Sequence, residues 1–162
     1  SYKSDAMENG SYLEPQARVE LEAYCGVHFK EVGWIQSEDE LIGISPDGIS
    51  HCETMQCEIK CPQAKAHIRM CLSNEIPLEY IPQCIHSFVA NDKLEKLYFC
   101  SYRPENPLKP LFVKELTRES LVNVGTNAKP VVKSISEMTP LIKLEIEMLK
   151  EIISKSINQI KF

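Results

Sequence analysis

The sequence predicts a single mixed α/β domain spanning residues 1–162, with a mixed β-sheet flanked by helices on its faces. Three observations predict it. Apolar side chains alternate with polar ones over short runs, best in residues 94–102. Elsewhere they recur every three or four positions, best in residues 139–160. Turn residues such as Pro46-Asp47-Gly48 separate the two kinds of run.

Each element can be justified in order. Residues 14–26 are expected to form a helix, because Ala17, Leu21 and Tyr24 share a face and Gly26 suits the stop. Residues 28–35 read as a strand with Phe29 and Val32 partly buried. Residues 41–45 read as a short apolar strand, turned by the Pro-Asp-Gly that follows. Residues 55–60 are a further strand, ended by Pro62. Residues 63–72 and 79–90 are expected to be helical, the second in the core. Strands at 94–102 and 111–116 follow as partners. Residues 117–133 carry no decisive pattern. Leu141, Leu144, Ile146, Leu149, Ile152 and Ile153 then mark the amphipathic helix at 139–160.

Composition excludes some classes. At 43% apolar and 25% charged, the chain has the profile of a soluble globular domain. No apolar run approaches the roughly 20 residues that span a bilayer, so no membrane association is expected. No basic-then-apolar leader is visible, so a cytoplasmic location is expected. The chain opens on Ser1 rather than Met, which leaves open a segment upstream. Seven cysteines are an odd number, and the chain is long enough to bury a core without staples, so reduced thiols are expected. The net charge of −5 hides an asymmetry: residues 1–58 hold 3 basic and 12 acidic side chains, residues 59–162 hold 15 and 11. An acidic first part can hold cations and a basic remainder can face phosphates; unevenly spread solvated charge is the plainer alternative.

The chemistry centres on Ser45-Pro46-Asp47-Gly48 and the later Glu58-Ile59-Lys60-Cys61-Pro62. Strand alternation puts Glu58 and Lys60 on one face and Cys57, Ile59 and Cys61 on the other. A hairpin would bring Asp47 beside Glu58. Two convergent carboxylates repel unless a cation lies between them, and an oxygen-rich set suits Mg²⁺ or Mn²⁺. Such a cation activates water and neutralises phosphoryl charge, and a neighbouring ammonium stabilises the crowded phosphate. Together these groups supply the parts for phosphodiester hydrolysis. Glu-x-Lys alone is a weak signal, and Asp47-Gly48 alone reads equally well as an ordinary turn.

The segments GISPDGIS, CEIKCPQAKAHI, IPLEYIPQCIHSFVAND and LYFCSYRPE, in that order, resemble the phage lambda-type exonucleases, the YqaJ-type viral recombinase family of PD-(D/E)xK nucleases. The resemblance runs from about residue 9 to residue 116. It implies a restriction-endonuclease-like core and a metal-dependent 5′-to-3′ exonuclease of double-stranded DNA. It also implies phage-type recombination in a bacterial cell from a phage or prophage, a ring-shaped homotrimer and a single-strand annealing recombinase as partner. It implies Asp47 and Glu58 as metal ligands with the Ile59 carbonyl, Lys60 as the catalytic lysine, and Glu14 on metal or water from an upstream helix. Tyr80 and Gln83 resemble the family's Y-x-x-Q. A serine at position 45 is implied to contact a 5′-phosphate. The alternatives are a helix-terminal charge for Glu14, a core aromatic for Tyr80, and a turn-bonding hydroxyl for Ser45.

Two departures stand out. Pro82 falls between Tyr80 and Gln83, which requires the helix to begin near Glu79 or to kink. The family's N-terminal segment, with its arginine for the terminal phosphate, has no match here. Lys65, His67 and Arg69 follow the motif and are expected to contact DNA phosphate; a solvated basic helix face is the alternative. Cys52, Cys57 and Cys61 lack the spacing of a zinc site, and only Cys84 and Cys100 follow Gln83, so neither zinc nor an iron–sulfur cluster is expected. Competing functions are an endonuclease or single-strand nuclease on the same fold, a catalytically inactive DNA-binding module, and a small metal-binding protein.

Overall fold

The computed structural model describes residues 5–37 and 42–160. Helix α1 (Asp5–Cys25) is followed by β1 (Ile35–Gln36), β2 (Gly43–Ile44), β3 (Gly48–Ile49) and β4 (Met55–Lys60). Helix α2 (Ala64–Ser73), a 3₁₀ turn at Leu78–Tyr80 and α3 (Ile81–Ala90) come next. Strands β5 (Lys96–Tyr102), β6 (Leu111–Leu116), β7 (Leu121–Asn123) and β8 (Val132–Ser134) lead into α4 (Ile135–Ile160). The central sheet has the order β3-β4-β5-β6, antiparallel at both ends and parallel between β4 and β5. It is the mixed sheet flanked by helices that the sequence predicts.

Strand alternation builds two cores, one on each face. On β5, Leu97 and Phe99 join Phe88 of α3, Phe112 of β6 and Ile135 of α4. Tyr98, Cys100 and Tyr102 point the other way, with Cys57 and Ile59 of β4, onto Ala17 and Leu21 of α1. Glu58 and Lys60 are thereby left on the α3 side of β4.

Several elements differ from expectation. Helix α1 begins at Asp5, nine residues before Glu14, and runs through Pro15. A proline reads as a first-turn residue, which is why the sequence places the start at Glu14. The strand expected at 28–35 reduces to one bridge, Lys30 to Ile49, and the start of β1; Gly33 interrupts it. Leu41, expected to open the next strand, lies outside the described residues. The undecided stretch folds as the β7–β8 hairpin, whose three-residue strands are too short to show a period. Helix α4 begins four residues before the expected Thr139. Ser134 and Glu137 close a capping box there: the Glu137 carboxylate accepts from the Ser134 amide at 2.7 Å, and the Ser134 hydroxyl accepts from the Glu137 amide at 3.2 Å. Pro82 lies in the first turn of α3, so the helix runs on without a kink. Among the described residues no helix is long and apolar enough to cross a membrane.

Candidate active site

The site grows from one hairpin. Strand β3 pairs with β4 through Gly48 opposite Cys57, and one further step of that register carries Asp47 opposite Glu58. The Asp47 carboxylate accepts a hydrogen bond from the Ile59 amide at 2.6 Å. Beyond the two residues of β3, this side chain supplies the acceptor that the strand no longer does. Gly48 is required by close approach: a Cβ there would lie 2.8 Å from that of Phe29 and 2.9 Å from Cys57 Sγ.

Glu58 is 3% exposed on the same strand. The Lys60 ammonium donates to Glu58 and, at 3.2 Å, to Oε1 of Gln83. It also lies 5.3 Å from the centre of the Tyr80 ring, which packs on Phe99 at 5.5 Å. Tyr80 and Gln83 straddle the junction of the 3₁₀ turn with α3, three residues apart. Both present to Lys60, so Tyr80 is a core-edge aromatic and a neighbour of the ammonium at once.

Electrostatics ties the carboxylates together. Burial, and then the negative charge of Asp47, push Glu58 up to about 7, against the pull of Lys60. Burial also raises Asp47, despite its bond from Ile59. Glu14 is raised by burial and next by Asp47, so it sits within the field of Asp47 from the middle of α1. That position removes the helix-terminal reading of Glu14. Burial would lower Lys60, but Glu58 outweighs it and the ammonium is held above its ordinary value.

Arg18 belongs to the same cluster and escaped the sequence reading. Its guanidinium, 11% exposed, donates to Glu14 at 3.0 Å and to Glu31, and its charge reaches Asp47. Four-residue spacing from Glu14 on the Ala17–Leu21 face was the available signal.

Other expected residues fall elsewhere. Ser45 is exposed, and its hydroxyl donates to the Gly33 carbonyl at 2.7 Å rather than to its own turn. It lines a cavity of about 390 Å³ with Ile44, Glu58, Pro82, Gln83 and His86. Lys65 and Arg69 are exposed on α2. Arg69 lines a larger groove of about 710 Å³, bounded by Ile76, Leu78, Lys114 and Val122, that shares no lining residue with the first. His67, expected on the DNA-facing side of α2, is not on the surface. It is fully buried, with Nδ1 2.8 Å from the Ser101 hydroxyl and Nε2 2.7 Å from the Lys109 carbonyl. Both ring nitrogens are used inside the protein, so the ring fastens α2 to β5 and to the loop before β6, and no phosphate reaches it.

The donor chemistry fits a hard divalent cation. Asp47 and Glu58 offer oxygen only, are shielded from water, and repel each other when both are ionised. Among the described residues no three His, Cys, Asp or Glu side chains converge on one point. That suits an ion such as Mg²⁺, which takes one or two carboxylates and keeps much of its hydration. The described cysteines are free thiols, and burial raises Cys61 to about 11 and Cys84 to about 12.

Comparison with known proteins agrees with this architecture. No curated protein sequence matches the chain. Among the solved structures that resemble it, two do so over 96% of this chain and 77% of theirs. One is LHK-Exo in complex with dAMP, with 27% identity and a TM-score of 0.66. The other is an alkaline exonuclease, LHK-Exo, from Laribacter hongkongensis, with 26% identity and a TM-score of 0.63. The sequence profile of the YqaJ-like viral recombinase domain matches residues 1–93, more than half of the chain, the α1 helix and the β3–β4 hairpin included, and the chain belongs to that family.

Proposed function

We propose that this chain is a divalent-metal-dependent exonuclease that digests double-stranded DNA from 5′ ends. Its family and its structural neighbours support a nuclease. The observation that carries the reading is the Lys60 ammonium, held by Glu58 and Gln83 on the strand face to which the β3–β4 hairpin delivers Asp47. Asp47 and Glu58 would hold Mg²⁺ or Mn²⁺, with the Ile59 carbonyl and with Glu14 through the ion or a water. When bound, such an ion supplies charge neutralisation at the phosphoryl group and a more acidic water.

The chain's own groups do the rest. Lys60 sits where it can donate to a phosphate oxygen as water adds to phosphorus and one P–O bond breaks. Gln83 and Tyr80 fix the direction of that ammonium. Arg18 steadies Glu14. The cavity beyond Glu58, with Ser45 at its edge, is the place for a terminal 5′-phosphate, which positions the substrate without reading bases. Lys65 and Arg69 offer exposed charge for the duplex backbone. A ring of three chains would keep such an enzyme on its substrate, and resected duplex is the product a single-strand annealing recombinase needs.

The test is digestion of linear and circular duplexes, and of single strands, with and without Mg²⁺. Linear duplex should be degraded from 5′-phosphorylated ends only when metal is present, and circles should survive. Cleavage of circles would replace the reading with an endonuclease. No cleavage of any DNA in Mg²⁺ or Mn²⁺ would remove it.

A further inference from the structure

We infer that Trp34 is a nucleobase-stacking platform at the mouth of the active site, an inference that rests on the nuclease reading above. Tryptophan is highly buried on average, yet Trp34, the chain's only tryptophan, is 64% exposed. Its indole lies on the backbone of Gly43, where a Cβ would fall 1.8 Å from Cζ2 of the ring. Gly43 is therefore the residue that lets the ring settle on this side of the ribbon.

The position is set by pairing. Strands β1 and β2 pair Ile35 with Ile44 and Gln36 with Gly43. One further step of that register puts Trp34 opposite Ser45, and opposite residues in an antiparallel pair share a face. The Ser45 hydroxyl bonds the carbonyl of Gly33, next to Trp34. Ser45 also lines the cavity that Glu58, Gln83 and His86 complete. The ribbon beside Trp34 and the loop that carries Asp47 thus meet at Ser45. An indole offers a broad π-face, every base has one, and stacking needs no particular sequence. That suits an enzyme that must accept each successive nucleotide.

Because no other tryptophan contributes, intrinsic emission reports this ring alone. Wild-type protein is titrated in Mg²⁺ with a 5′-phosphorylated linear duplex carrying cleavage-resistant phosphorothioate linkages. Dye anisotropy follows binding independently. A second duplex lacks the bases of its terminal nucleotides. The first duplex should quench the emission; the second should leave it unchanged and bind about tenfold more weakly, the worth of one stacked base. Trp34→Phe, which keeps a ring, should hold most of the affinity. Trp34→Leu, which keeps apolar bulk, should lose about tenfold with an unaltered melting temperature.

Emission that stays constant while the duplex binds overturns the inference and leaves the nuclease reading intact. So does wild-type affinity in Trp34→Leu. Equal melting losses in both variants without quenching would mean that the ring only covers Gly43. A wild-type protein that neither binds nor cuts duplex DNA would remove the nuclease reading and the platform with it.

Discussion

Asp47, Glu58 and Lys60 act as one electrostatic unit, and each tests it differently. Replacing Asp47 or Glu58 by Ala should abolish nuclease activity with the fold retained, checked by digestion assays and circular dichroism. Their effects on stability should diverge. Asp47→Ala forfeits the acceptor for the Ile59 amide, a loss of about 1 kcal/mol or more that offsets the relief of repulsion. Glu58→Gln relieves it but gives up the charge paired with Lys60. In metal-free protein Glu58 keeps its proton up to about 7, against an ordinary 4.5. The folded state therefore binds the extra proton in that window. Its stability should fall as pH rises from about 4.5 to about 7, by roughly 3 kcal/mol at 1.4 per unit, and level off above. Thermal melts in chelator would show this slope, and Glu58→Gln should reduce it to what the raised Asp47 and Glu14 contribute. Lys60→Ala should lose cleavage while calorimetry still finds Mn²⁺ binding; full activity in that variant would make Lys60 a mere surface charge. His67→Ala should cost about 1–3 kcal/mol by stranding the Ser101 hydroxyl and the Lys109 carbonyl, and leave DNA affinity unchanged. The carboxylates and Lys60 were legible in the sequence because their spacing obeys strand geometry. His67 was not: its partners are 34 and 42 positions away, and a polar side chain reads as surface until the tertiary fold is known.

Among the elements, the β3–β4 hairpin determines the distance between the carboxylates. Gly48→Ala pushes a methyl into Phe29 and Cys57. It should cost about 1–3 kcal/mol and lower the rate of cleavage more than Mn²⁺ affinity, since it shifts Asp47 without removing it. Chemical denaturation and single-turnover digestion would check both. Strand β4 was read from the sequence to the residue, because Met55 through Lys60 alternate cleanly between the two faces of one sheet. Helix α1 was read short because Pro15 imitates a start, although packing of Leu13, Ala17 and Leu21 against β4 and β5 carries the helix past it. The Ser134–Glu137 capping box was visible in the sequence, yet Pro140 drew the start of α4 too far along. The β7–β8 strands were not legible at all: three residues each cannot reveal a period, and their pairing depends on the intervening turn.

For the molecule as a whole, self-association into a closed ring of three is expected. Leu144, Met148, Leu149 and Ile152 of α4 are each more than half exposed, apolar surface of the kind that marks contact surfaces. The acidic first part and the basic remainder of the chain are complementary in sign, which suits head-to-tail contacts between identical copies. Light scattering at micromolar concentration should show the trimer, and Leu149→Glu should shift it toward monomer. A wild-type protein that scatters only as monomer would exclude the ring.

The mixed order of the sheet has a consequence for how the molecule breathes. Strand β4 is interior, with β3 on one side and β5 on the other, and the Ile59 amide is capped by Asp47. The two-residue strands β1 and β2 form a separate ribbon. Amide hydrogen exchange should therefore divide the site in two: Cys57 through Lys60 released only by global opening, the ribbon bearing Trp34 released by local opening at far lower cost. Heating should silence the chemistry only when the whole domain melts, while the rim that first meets a DNA end stays pliable at every temperature below that.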